Sequence, residues 1–307
     1  MNWKGQSLVS VQELSRSDIE ALLDTAALMQ EDPPAYASLL SRSILATLFF
    51  EPSTRTRLSF ESAMARLGGH IISAPNASEM SSAVKGETLA DTIRMVSGYA
   101  DVIALRHPRA GASAEAAEVS TVPVLNAGDG TGEHPTQALL DAYAIRRQHG
   151  SLDGLTVAAL GDLAYGRTIH SLSLLLAKYQ GVTLRTVAPR GLELPKDLAA
   201  EVRRLGLRLE PADTLVDAVA DSDVLYVTRL QKERLPAHLP RAPGLYAVDR
   251  AALDALPRHA IILHPLPRVD ELPIWVDADP RARYIEQAHG GVYVRMACLA
   301  AVLGASL

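Results

Sequence analysis

The stretch ILATLFF-EPSTRTR-LSFESAMARL, Ile44 to Leu67, decides how the rest of the chain is read. Its first seven residues are an unbroken apolar run of strand length, the pattern of a strand covered on both faces. Pro52 stops that run, and Ser53 stands where a helix N-cap belongs. Phe60, Ala63, Met64 and Leu67 then recur at helical spacing. A buried strand passing straight into a helix is the opening unit of a parallel α/β sheet. The turn between them packs two threonines and two arginines, Thr54 to Arg57, beside Ser53. A helix N-terminus presents unpaired N–H groups and the positive end of its dipole, so this turn reads as a phosphate site. An ordinary capped helix with exposed arginines is the plainer reading, and the crowding of hydroxyls and guanidiniums in one turn argues against it.

Outward from this stretch the same unit recurs. A first amphipathic helix is expected over 10–30, capped by Ser17 with Glu20, and HIISA (70–74) reads as a second strand. NASEMSSAVKGE (76–87) is small and polar, an exposed loop in which Ser81 and Lys85 read as solvated residues, before a helix over 88–99. VIAL (102–105) delivers Arg106-His107-Pro108 at its end, and PVLNAGDG (123–130) delivers the run from Thr131 to Gln137 at the start of another helix. Open α/β sheets bind ligands beyond the carboxyl ends of their strands. Arg55, Arg106 and His134 are thus sent to one region.

Around 148–153 the pattern turns loop-like, which predicts a domain boundary there; the domains expected are 1–149 with 289–307, and 150–288. The second part repeats the alternation, with strands at 156–162, 183–188 and 224–227. Gly161 and Gly166 do not make Gly-x-Gly-x-x-Gly, so a dinucleotide site is poorly supported. Its strand ends supply Arg167, and Thr228-Arg229-Leu230-Gln231, instead. AIILHPLPR (260–268) runs into a turn in which Pro265 and Pro267 lack N–H groups, leaving carbonyls to accept from a ligand amide. A last apolar helix is expected from about Val292 to Leu303.

Composition narrows the ligand. The chain has 307 residues, long enough for two domains, and its net charge of −5 with no basic block argues against nucleic acid. Cationic groups for an anionic ligand must therefore be gathered locally. No apolar run nears the roughly 20 residues that span a bilayer, and the start MNWKGQSLVS lacks a signal-peptide layout, so the cytoplasm is the expected location. Cys298 is the single cysteine and sits in an apolar helical pattern, which predicts a buried, inert thiol. The His-Pro pairs at 107, 134 and 264 lack metal-ligand spacing, and neither metal nor cofactor is expected.

Phe50-x-x-Ser53-Thr54-Arg55-Thr56-Arg57 and His134-Pro135-Thr136-Gln137 resemble the carbamoyltransferase family. Lys85-Gly86-Glu87-Thr88, Gly161-Asp162, Tyr165 to Thr168, Thr228-Arg229, Gln231 to Arg234 and His264 to Arg268 are similar to its aspartate-using branch. That resemblance implies two doubly wound parallel-sheet domains joined by interdomain helices. One would bind carbamoyl phosphate and the other L-aspartate, with the product N-carbamoyl-L-aspartate serving pyrimidine synthesis. It places Ser53, Thr54, Arg55, Thr56 and Arg106 on the phosphate, and Thr56, Arg106 and His134 on the carbamoyl carbonyl. Gln137 and the turn of Pro265, Leu266 and Pro267 receive the carbamoyl NH2. Arg167, Arg229 and Gln231 hold the aspartate carboxylates. Ser81 and Lys85 would reach in from a neighbouring chain of a homotrimer, which the residues alone do not suggest. Whether a regulatory chain or a dihydroorotase joins the trimer is left open. Amine attack on a carbonyl needs clustered donors and cations rather than a protein nucleophile, and the residue types agree. The rival substrate is ornithine, or another amine, and a catalytically silent homologue is the rival of another class. Three cations, Lys85, Arg167 and Arg229, suit a dicarboxylate better than an amine carrying a second positive charge.

Overall fold

A computed structural model describes residues 3–77, 86–230 and 246–305. Ser81, Lys85 and Gln231 lie outside the described residues. Two compact units are present, Met1–Leu140 with Gly290–Leu307, and Asp141–His289.

In the first unit α1 (Arg16–Glu31) opens with a reciprocal cap between Ser15 and Asp18. The cap lies two residues upstream of the expected Ser17, because the helix starts at Arg16 and Ser17 falls inside its first turn. Then follow β1 (Ile44–Phe49), α2 (Thr54–Arg66), β2 (His70–Ala74), α3 (Leu89–Val96), β3 (Val102–His107), α4 (Ala112–Val119) and β4 (Val124–Asp129), after which α5 (Pro135–His149) begins in this unit and runs past its limit at Leu140. The four strands are parallel in the order β2-β1-β3-β4. Helical crossovers cover the faces of such a sheet, so β1 is buried after its first residue and β4 throughout. Ala46, Leu48, Ile103, Leu105 and Val124 form one core with Ile93 of α3 and Ala116 of α4. Phe60, Ala63 and Met64 of α2 are buried, the face its spacing predicted.

The second unit holds β5 (Thr156–Leu160), α6 (Arg167–Leu176), β6 (Thr183–Val187), α7 (Lys196–Arg204), β7 (Arg208–Pro211), α8 (Leu215–Val219), β8 (Val224–Val227), α9 (Arg250–Ala255) and β9 (Ile261–Leu263). Its five parallel strands are ordered β7-β6-β5-β8-β9. The chain closes with α10 (Tyr284–Leu303), which begins eight residues before the predicted Val292. Gly290 and Gly291 break the apolar pattern without ending the helix. A Cβ at Gly291 would collide with the side chains of Leu140 and Arg295, so the glycine permits close packing of α10 on α5.

Both sheets reverse direction once. The chain leaves β1 toward β2 and returns to place β3 on the other side of β1. Likewise β6 and β7 lie on one side of β5, with β8 and β9 on the other. The crevices beyond the carboxyl ends of β1 and β3, and of β5 and β8, are the ligand positions of this architecture.

Candidate active site

The crevice in the first unit is built from the loop after β1 and the end of β3. Phe50 N–H donates to the Arg106 carbonyl at 2.8 Å, which holds the two strand ends together. The Arg106 guanidinium is aimed by two acceptors, the Ala127 carbonyl at 3.2 Å and the Glu51 carboxylate at 3.0 Å. Ser53 takes the N-cap position of α2 with extended backbone, yet its side chain makes no capping hydrogen bond. Thr56 is buried in the first turn, while Thr54 and Arg55 are exposed beside it. Arg57 is used differently. It donates to Glu61 at 3.2 Å and to Ser73 of β2 at 3.3 Å, bracing the helix against the sheet.

The turn after β4 brings His134 and Gln137 to the same end of the sheet. Asp129 shapes it, accepting from Glu133 N–H at 2.8 Å and from Gly111 N–H at 2.9 Å. Gly130 has φ +48, and a Cβ there would press on the Pro108 carbonyl and Ala110 nitrogen. Glu133 ties the turn to the N-terminal segment through the Ser10 hydroxyl and the Val11 N–H, the latter at 3.0 Å. Pro135 starts α5, where its missing N–H costs nothing, and the His134 carbonyl accepts from Gln137 N–H at 2.9 Å. His134 and Gln137 are both buried. His107 is not part of this group. Its Nδ1 accepts from Arg109 N–H at 3.1 Å, and burial, then the Arg109 charge, hold the ring below the ordinary histidine value.

In the second unit, the loops after β5 and β8 touch. A Cβ on Gly161, at φ +122, would collide with the Thr228 carbonyl. The Thr228 hydroxyl donates to the Leu160 carbonyl at 3.1 Å. Buried Asp162 accepts from Tyr165 N–H at 2.9 Å and closes the turn into α6, whose first residue is Arg167. Arg167 is buried, and Arg229 lies two residues past the end of β8. Adjacent strand ends therefore carry one guanidinium each.

The loop after β9 carries Pro265, Leu266 and Pro267, with a cis Leu266–Pro267 bond and Leu266 at φ +56. Arg268 is structural: it forks onto Asp277 and donates to the Tyr284 hydroxyl at 3.0 Å. The Asp277 carboxyl is lowered to about 2 by Arg268 and then Tyr284. Beneath this loop, Asp141 accepts from the Tyr226 hydroxyl at 2.8 Å and from the Gln287 amide at 2.6 Å. Burial, then the Asp141 charge, push the Tyr226 phenol well above its ordinary value. No sequence pattern marked this group, because its members lie 61 to 146 residues apart and meet only in the fold. Cys298 is buried, and burial raises its thiol to about 12. Among the described residues, no three or more His, Cys, Asp or Glu form a group that could hold a metal, and no helix is long and apolar enough to cross a membrane.

Comparison with known proteins is consistent along the whole chain. Residues 6–147 match the family described as aspartate/ornithine carbamoyltransferase, carbamoyl-P binding domain. Residues 153–302 match the aspartate/ornithine carbamoyltransferase Asp/Orn binding domain. The chain is 52% identical to the aspartate carbamoyltransferase catalytic subunit of Methanoculleus marisnigri over 96% of this chain and 99% of that one. It is 49% identical to the catalytic subunit of Thermococcus gammatolerans over 99% of both. Among solved structures, it resembles Trypanosoma cruzi aspartate transcarbamoylase in complex with carbamoyl phosphate and aspartate, with TM-score 0.91, 44% identity and 98% of each chain covered.

Proposed function

Because this chain belongs to the aspartate/ornithine carbamoyltransferase family, we propose that the two strand-end crevices divide the work of carbamoyl transfer between them. The enzyme moves the carbamoyl group of carbamoyl phosphate onto the amine of L-aspartate, giving N-carbamoyl-L-aspartate and phosphate. The pairing of a phosphate-type helix N-terminus in one unit with Arg167 and Arg229 on adjacent strand ends in the other carries the assignment.

In this reading Ser53, Thr54, Arg55 and Thr56 hold the phosphate at the N-terminus of α2, joined by Arg106. Their donors match the charge that grows on phosphate as it leaves. Thr56, Arg106 and His134 donate to the carbonyl oxygen as it becomes an oxyanion. Gln137 and the carbonyls of Pro265 and Leu266, in the turn that Pro267 completes, accept from the carbamoyl NH2. Arg167, Arg229 and Gln231 bind the aspartate carboxylates, and the free amine attacks the held carbonyl carbon. Lys85 and Ser81 complete the site from a neighbouring chain in a homotrimer, and the product feeds pyrimidine synthesis. The relatives named catalytic subunits support a further chain in the assembly.

The test is substrate choice. Purified protein with carbamoyl phosphate is expected to consume L-aspartate and release phosphate. Turnover of L-ornithine with none of aspartate would overturn the assignment, and binding of a bisubstrate phosphonate without turnover would favour a silent homologue.

A further inference from the structure

The loop after β9 is held by side chains to which the roles above give no part. His264 and Glu271 are 1% and 6% exposed. Leu266 N–H donates to His264 Nδ1 at 2.8 Å. A ring nitrogen that accepts carries no proton, so the proton of His264 is on Nε2 and is donated to Glu271 Oε1 at 2.8 Å. The same carboxylate oxygen accepts from Val269 N–H at 2.9 Å. From behind, His264 N–H donates to Gln287 Oε1 at 3.0 Å. Glu271 is kept below the ordinary glutamate value: burial opposes ionisation, and the hydrogen bonds from His264 and Val269 outweigh it.

These bonds fix more than the side chains. The Pro265–Leu266 peptide is trans, so the Pro265 carbonyl points opposite the Leu266 N–H. Anchoring that N–H on His264 therefore aims the carbonyl. Leu266 is the one non-glycine residue at positive φ among the described residues, a conformation that persists only where neighbours impose it. Pro265 and Pro267 contribute no donors that would compete.

We propose that His264 and Glu271 are positioning residues that set the Pro265 and Leu266 carbonyls as acceptors for the carbamoyl NH2. The proposal rests on the carbamoyl-transfer reading. It separates two ligands that share a phosphate group, because the clamp acts on the amide alone.

Affinities for carbamoyl phosphate and for inorganic phosphate are measured by calorimetry on wild type, His264→Leu and His264→Asn, with kcat for each. His264→Leu is expected to weaken carbamoyl phosphate about tenfold, the scale of one or two lost hydrogen bonds, and to lower kcat. Inorganic phosphate should stay within about twofold. His264→Asn should recover most of the loss, since its side-chain oxygen can accept from the N–H two residues on. Equal loss for both ligands, no loss in a folded His264→Leu, or no recovery in His264→Asn overturns the proposal. If His264→Leu does not fold, Glu271→Ala is read on the same two ligands with the same expectations. A wild-type protein that fails to turn over carbamoyl phosphate with L-aspartate defeats the reading of the reaction, not the clamp.

Discussion

The three arginines that lie near the first crevice have three different fates, and only part of this is visible from their spacing. Arg57 stands four residues before Glu61, a pairing any helix would allow, and the structure uses it for bracing. Arg106 owes its aim to Glu51 and to a carbonyl on β4, which no local pattern announces. Arg55 is exposed at the start of α2. Its type and position were legible because phosphate chemistry demands cations at a helix N-terminus. Arg268 was equally conspicuous in its motif, and it is instead occupied by Asp277, nine residues away in a fold-dependent contact. Arg55→Ala is expected to lower kcat/KM about 100- to 1,000-fold, as loss of a charged donor to a leaving group does. Because the side chain is exposed, its Tm should move little. Steady-state kinetics beside a thermal melt checks both. A large drop in Tm with unchanged kinetics would assign Arg55 to the fold.

Ser15 and Ser53 stand at the N-caps of α1 and α2, and the comparison between them separates stability from binding. Ser15 accepts from Asp18 N–H while Asp18 accepts in return, so its hydroxyl is consumed by α1. Ser53 holds the same position on α2 and gives the helix no side-chain bond. A cap of the first kind stabilises by about 0.5–2 kcal/mol. Ser15→Ala should therefore lower stability by that amount in a denaturant titration and leave kinetics alone. Ser53→Ala should do the reverse, with stability near wild type and KM for carbamoyl phosphate raised about tenfold. Matching stability losses for the two would refute the distinction. Sequence supplied the serine at the start of α2 but could not say whether its hydroxyl was spent. The same limit appears at α10, where Gly290 and Gly291 look like an end. Gly291 sits inside the helix, where Leu140 and Arg295 leave no room for a Cβ. The inner strands β1, β3 and β8 were the most legible elements, since coverage on both faces writes each largely as an apolar run, whereas β7, an edge strand of RLEP that is mostly exposed, carries no such run and was not read.

Each unit is a parallel sheet with one reversal of strand order, and arginines lie at the ends of the strands that flank each reversal, Arg106 at the end of β3 and Arg167 and Arg229 after β5 and β8. Strand ends were readable in order along the chain, whereas which ends become neighbours depends on the order β2-β1-β3-β4 and β7-β6-β5-β8-β9, which long-range pairing alone sets. The proposed function takes one cation and one hydroxyl, Lys85 and Ser81, from a neighbouring chain. A ring of three chains joined head to tail repeats one interface three times, so each site would take Arg55 from one chain and Lys85 from the next. Arg55→Ala and Lys85→Ala proteins, each nearly inactive, are mixed in equal amounts under conditions that exchange subunits. An interface is intact only when its first chain retains Arg55 and its neighbour retains Lys85, which random assortment gives for about one interface in four. Activity near a quarter of wild type, with exchange verified by mass, is expected. If verified hybrids stay at the level of the separate variants, both residues serve a site within one chain.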